Sequence, residues 1–230
     1  MIIAVRVNWI VAALLSLTLC ACSSKNKQEQ PATPTAPETA LPESPPDPRP
    51  VIAAFGDSLT AGLGVPPGRS YPDDLQRLLD AAGYHYHVVN LGVSGDTTTD
   101  GIQRLPDVLA SKPDIVILEF GGNDGLRGLP VFTSRTNQIT MIQTLQRAGI
   151  RILLAGMSLP RNYGSDYIQS FERIYTELAA QFHLALIPFL LEGVGGHPEL
   201  TQSDGIHPTA VGCEIVASNV MKYLKPMLKK

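Results

Sequence analysis

The chain has 230 residues, of which 44% are hydrophobic and 17% charged, and its formal net charge is −3. That balance excludes the strongly basic surface a nucleic-acid partner would need. The three cysteines, with no Cys/His spacing suited to metal ligation, give no disulfide framework and no metal site.

The N-terminus carries one early cation, Arg6, and then an apolar run from about Trp9 to Leu19. The run is shorter than the about 20 residues that span a bilayer and has the length of a signal-peptide core. Leu19-Cys20-Ala21-Cys22 resembles a bacterial lipobox, with Cys22 as the residue to be lipidated and polar Ser23-Ser24-Lys25 directly after it. An ordinary signal peptide with two incidental cysteines is the alternative. Residues 1–22 are therefore expected to be a signal segment with a lipobox. A lipid on Cys22 would make the membrane a partner, since each buried methylene adds about 0.8 kcal/mol. Residues 23–50 contain Pro31, Pro34, Pro37, Pro42, Pro45, Pro46, Pro48 and Pro50 among Thr, Ala, Glu and Gln. Such a stretch cannot bury enough surface to offset its ordering entropy and is expected to be a disordered, extended spacer. Residues 51–230, roughly 180 in number, suit one domain with a sizeable core.

Within that domain the elements alternate. Val51 to Phe55 reads as a buried strand that ends in Gly-Asp-Ser. Ser70 to Ala82 reads as a helix, with Ser70 and Asp73 as a capping box, Leu75, Leu78 and Leu79 as an apolar stripe and Gly83 just past the end. His85 to Leu91 is a second strand. Thr99 to Ala110 is helical, kinked or restarted near Pro106. Ile115 to Phe120 is an apolar strand closed by Gly121-Gly122-Asn123-Asp124. Thr136 to Ala148 is a helix and Ile150 to Ala155 a strand. Tyr167 to Phe182 is a helix and Leu184 to Phe189 a strand. A final helix runs to Leu224 with Pro208 as its first residue. Short apolar strands alternating with helices predict an α/β fold, a parallel sheet covered by helices on both faces. Ligands of such sheets bind beyond the carboxyl ends of the strands, and the polar clusters of this chain follow strands.

Ser58 follows the first strand. A serine is a weak nucleophile without a base in hydrogen-bond reach and a third group to fix that base. Asp204 and His207, three apart before the last helix, have a spacing that lets the carboxylate bond one imidazole nitrogen while the other faces outward. Gly95, in the turn after the second strand, and Asn123, after the third, can supply oxyanion donors if the strand order brings their loops beside Ser58. Asp57 is expected to support the loop, not to react. His85, His87, His183 and His197 have no partner pattern. Leu126, Leu129, Val131 and Phe132 suit either ordinary loop packing or the lining of an apolar acyl site, and Leu126, Leu129 and Phe132 are expected to line such a site.

GDSLTAG, SGD, GGNDGLRG and DGIHP, in this order, resemble the four blocks of the SGNH (GDSL) hydrolase family over about Val51 to Leu224. GGNDGLRG, LPRNYG and DGIHP look closest to the bacterial thioesterase I group, whose activities include lysophospholipase and arylesterase. The resemblance implies a three-layer α/β/α sandwich of the flavodoxin-like kind. It implies Ser58 as nucleophile, His207 as general base and Asp204 as its orienting partner, with an oxyanion hole from the Ser58 N–H, the Gly95 N–H and the Asn123 side chain. It implies a small acyl ester, thioester or lysophospholipid as substrate; no cofactor is expected, and the chain is expected to be a monomer. Ser23 after the lipidated residue would suit a periplasm-facing position at the outer membrane, where the family's thioesterase I members are soluble in the periplasm. A carbohydrate O-acetyl esterase acting on envelope glycan, and a non-catalytic binding module on the same fold, are the alternative readings.

Overall fold

The computed structural model describes residues 47–230. The expected signal segment, its lipidation residue Cys22 and nearly all of the Pro-rich spacer lie outside the described residues.

Strand β1 (Val51–Gly56) is buried from its second residue onward. It passes directly into a one-turn helix, α1 (Ser58–Ala61), where sequence reasoning expects a loop. Asp57 caps this turn by accepting from the Leu59 N–H at 3.0 Å, and Gly62 ends it in the left-handed region. Helix α2 (Tyr71–Ala81) starts at the expected Ser70, whose N–H donates to the Asp73 carboxylate at 3.0 Å. Strand β2 (His87–Gly92) begins two residues later than the sequence suggests. The helix expected over 99–110 is two short helices, α3 (Thr98–Gln103) and α4 (Leu105–Ala110), joined at Arg104. The break falls just before Pro106, which lacks the N–H that would continue the first helix.

Strand β3 (Ile115–Glu119) is wholly buried and leads through Gly121 into the short helix α5 (Gly122–Leu126). Helix α6 (Val131–Arg147) begins five residues before the expected Thr136. Its early turns are fixed by buried polar contacts, the Ser134 hydroxyl donating to Asp124 at 3.1 Å, so the apolar periodicity that marks a helix is missing there. Strand β4 (Arg151–Ala155) and helix α7 (Ser165–Phe182) follow. Strand β5 is only Ala185–Ile187; Pro188, without an N–H, ends the ladder that was expected to reach Phe189. Helix α8 (Ala210–Leu224) is capped by Thr209, whose hydroxyl accepts from the Gly212 N–H at 3.2 Å. Pro208 is thus not the first helical residue. It precedes the cap and pairs with Thr201 in an isolated antiparallel bridge.

All strand pairs are parallel, in the order β2-β1-β3-β4-β5. Helices α2 and α8 pack together on one face, and α3, α6 and α7 form the layer on the other, giving a three-layer α/β/α sandwich. Ile52, Phe55, Ile115, Ile117, Leu118, Leu153 and Leu154 fill the centre with no solvent exposure. Each such side chain contributes about 1.5–3 kcal/mol relative to an exposed one. The chain reverses direction across the sheet between β2 and β3, on either side of β1, and at such a switch point the loops diverge and leave a crevice beyond the strand ends.

Candidate active site

The crevice receives a residue from every strand end. Ser58 stands on α1 immediately after β1, 7% exposed. As the first residue of a helical turn its N–H has no intrahelical acceptor. Its Oγ is 2.8 Å from His207 Nε2, across 149 positions of sequence. On the other side of the ring, His207 Nδ1 is 2.6 Å from Asp204 Oδ2. Asp204 Oδ1 also accepts from the backbone N–H groups of Ile206 at 2.9 Å and His207 at 3.0 Å. One carboxylate therefore folds the 204–207 turn and orients the imidazole it carries. Gln202 fastens this loop to the end of α1: its Nε2 donates to the carbonyls of Leu63 at 2.7 Å and Pro208 at 2.9 Å.

Burial pushes the Asp204 carboxyl upward, but the bonds from the His207 ring and from the two backbone N–H groups outweigh it and bring it down to about 2. Asp204 is thus an anion near neutral pH, facing the His207 imidazole. Asp57 and Glu119, both buried, are pushed the other way, chiefly by desolvation.

Gly95 and Asn123 reach the same cleft as Ser58 and His207. Gly95 sits at φ +90°, a conformation that favours glycine, and its carbonyl is held by Arg127 Nη2 at 2.8 Å. Its N–H donates to no acceptor among the described residues. Asn123 Nδ2 donates to the Asp96 carbonyl at 2.9 Å and to Asp57 Oδ2 at 3.2 Å. Behind these loops lies Arg104. Its guanidinium donates to Asp96 Oδ2 at 2.6 Å and to the carbonyls of Leu91 at 2.8 Å and Gly56 at 3.0 Å, and it stacks 4.9 Å from the Phe55 ring centre. It ties the ends of β1 and β2 to the Gly95–Asp96 turn.

The cleft has a volume of about 650 Å³ and largely apolar walls: Leu63 and Leu126, then Met157 and Leu159 after β4, and Phe189 and Leu191 after β5. Of the three expected acyl-site residues only Leu126 is on its wall. Leu129 is not among the wall residues, and its carbonyl accepts from the Tyr167 hydroxyl at 2.9 Å, while Phe132, in the first turn of α6, is 76% exposed outside the cleft. The walls come instead from the strand ends of β4 and β5. His85, His87, His183 and His197 are not on the cleft wall. Among the described residues no group of three or more His, Cys, Asp or Glu is placed to hold a metal ion. Sequence reasoning missed Arg104 and Glu119. Arg104 had no motif to mark it, whereas Glu119 was visible as a charge inside an otherwise apolar buried strand.

Chemically, the arrangement is an alcohol in contact with a base, the base in contact with a fixed anion, and unpaired or side-chain N–H donors beside the alcohol. It is the constellation needed for acyl transfer.

Residues 54–215 match the GDSL-like lipase/acylhydrolase family. The chain is 45% identical to the esterase TesA of Pseudomonas aeruginosa, over 77% of this chain and 89% of that protein. It is 37% identical to the thioesterase 1/protease 1/lysophospholipase L1 of Escherichia coli K12, over 77% of this chain and 84% of that protein. Among solved structures, a crystal structure of TesA superposes with a TM-score of 0.75 at 44% identity, covering 77% of this chain and 99% of that one.

Proposed function

The chain belongs to the GDSL-like lipase/acylhydrolase family and is a serine hydrolase of ester and thioester bonds, and on that premise we propose how its own residues carry the reaction. Ser58 Oγ attacks the acyl carbonyl while its proton passes to His207 Nε2. Asp204 stabilises the imidazolium that results. The oxyanion of the tetrahedral intermediate is held by the N–H groups of Ser58 and Gly95 and by the Asn123 amide. In the resting site both hydrogens of that amide are engaged, and the longer bond, to Asp57 at 3.2 Å, is the one to be exchanged for the oxyanion. Collapse expels the alcohol or thiol, which takes the proton from His207. Water, deprotonated by the same ring, then releases the acid from Ser58.

The observation that carries this reading is the continuous Ser58–His207–Asp204 chain, at 2.8 and 2.6 Å, opening into an apolar cleft. The apolar walls favour acyl chains longer than acetyl, as in simple esters, acyl thioesters and lysophospholipids. Hydrolysis of p-nitrophenyl esters from acetyl to palmitoyl, by the full-length chain and its Ser58→Ala variant, tests it. Turnover of medium and long esters that vanishes in the variant is expected, together with covalent labelling of Ser58 by a fluorophosphonate. Turnover surviving in pure Ser58→Ala would defeat it. A profile confined to acetyl would transfer the assignment to glycan O-deacetylation, and absence of both turnover and labelling to a binding module. Cys22 as a lipid anchor at the periplasmic side of the outer membrane completes the proposal, supported by the Leu19–Cys22 pattern and the Pro-rich spacer. Metabolic incorporation of a labelled fatty acid, lost in Cys22→Ala, checks it.

A further inference from the structure

Glu119 is the last residue of β3 and has no solvent exposure, and no step of the mechanism above uses it. Its Oε2 accepts two bonds, from the Asp57 N–H at 3.0 Å and from the Thr60 hydroxyl at 2.9 Å. These donors stand at the two ends of the single turn that holds Ser58. A helix of one turn does not persist on its own, so the carboxyl group works as a clamp across it. Room for the clamp exists because residue 56 is glycine. A Cβ there would lie 2.3 Å from both Glu119 Oε2 and Thr60 Oγ1.

The other oxygen, Oε1, is fully buried and accepts from nothing among the described residues. Glu119 pairs with no cation there either. A bare anionic oxygen in such a position is costly, whereas a hydroxyl needs only one acceptor. The side chain of Asp57 lies beside that of Glu119 and is the group that can take such a proton. Asp57 in turn accepts from the Leu59 N–H and from Asn123 Nδ2.

We propose that Glu119 is a positioning residue for the hydrolysis: as a neutral acid it clamps the Ser58 turn through Oε2 and donates its proton to Asp57, which holds the Asn123 amide at the oxyanion site. One proton is thus shared by two buried carboxyl groups. The groups facing Asp57 are Glu119 from β3, Asp96 from the loop after β2 (itself paired with Arg104), His207 from the last loop and the Asn123 amide. Burial first, and then the charge of Asp57, push Glu119 well above the usual carboxylate range, in keeping with its carrying the proton.

The inference rests on the hydrolase assignment, and wild-type turnover checks that assignment separately. The test compares Glu119→Ala and Glu119→Gln in the full-length chain. Glu119→Ala is expected to lower kcat about 10²-fold with KM nearly unchanged, because a nucleophile displaced by about 1 Å loses that much. Glu119→Gln, which keeps one acceptor and one donor without charge, is expected to restore kcat to within about threefold of wild type and to leave the shape of the pH profile intact. The infrared carbonyl stretch of a protonated carboxylic acid should persist in wild type at pH 8 and disappear from Glu119→Gln. Three results would each overturn the proposal: a Glu119→Gln chain as impaired or unfolded as Glu119→Ala, a Glu119→Ala chain with wild-type kcat, or a missing infrared band. If Glu119→Ala does not fold, the glutamine variant and the infrared band decide alone.

Discussion

Asp204→Asn separates the two tasks of the carboxylate. Oδ1 accepts from the N–H groups of Ile206 and His207, and Oδ2 faces His207 Nδ1 at 2.6 Å. Asparagine can keep its oxygen on the two backbone donors, so the 204–207 turn should hold. Its NH₂ then meets Nδ1. A donor there forces the ring proton onto Nε2, the atom 2.8 Å from Ser58 Oγ, and an Nε2–H cannot accept the serine proton. Losing the correct tautomer of a triad histidine costs up to about 10⁴ in kcat. The Asp204 side chain is 43% exposed, so water can take part of its place. The expectation is therefore the lower end, about 10³-fold, or about 4 kcal/mol of transition-state stabilisation at 1.36 kcal/mol per decade. The assay is kcat and KM on a p-nitrophenyl ester, with a thermal melt as control for folding. KM and the melting temperature should change little. A variant keeping more than about a tenth of wild-type kcat would refute the tautomer argument.

Arg104→Met removes the partner of the half-buried Asp96 and the donor to two strand-end carbonyls; about 2–4 kcal/mol of stability should go, read as a lower urea midpoint at constant m. The raised pKa of Glu119 sets a sign for stability against pH. The unfolded chain releases this proton near its usual value of about 4.3, the folded chain well above it, so the fold is favoured most at low pH and loses that advantage as pH rises through the folded value. Unfolding midpoints from pH 5 to 9 should fall more steeply for wild type than for Glu119→Gln, and parallel curves would contradict this. On the cleft wall, Leu63→Trp should shorten the longest ester accepted, while Phe132→Ala should leave the chain-length profile within about twofold of wild type; both lie near the surface, and only Leu63 is on the wall.

Much of the fold was legible because its strands are short, apolar and separated by helices, as both-sided burial requires. The site was legible for a related reason. Ligands of an open α/β sheet bind at strand ends, and Ser58, Gly95 and Asn123 stand there in sequence as well as in space. The closing of Ser58 onto His207 across the domain could be anticipated from chemistry but not from spacing, since it depends on the strand order and on Gln202 fastening the last loop. Of the expected wall residues near Asn123, Leu126 is on the wall, but Leu129 and Phe132 are not. Sequence neighbours of a catalytic residue occupy a helix with one face out, as Phe132 does, whereas Met157 and Phe189 are distant in sequence yet follow strands β4 and β5. The start of α6 was hidden by Ser134 and Gln138, whose inward faces are polar and buried.

The first block of the site acquires a physical meaning once Glu119 is included. Gly56 leaves the space a carboxyl group needs. Asp57 offers its N–H to that group and its own carboxylate to the cap of the turn and to Asn123. Ser58 is presented to His207, Leu59 lines the cleft, and Thr60 closes the clamp with its hydroxyl. Five consecutive residues are thus fitted around a sixth that lies 62 positions after Asp57 and carries no motif of its own. A one-turn support for Ser58 needs such a partner from another strand, because a turn this short cannot fix its own geometry. The adjacent strand β3, paired in register with β1 so that Gly56 lies opposite Glu119, is the element that can supply it.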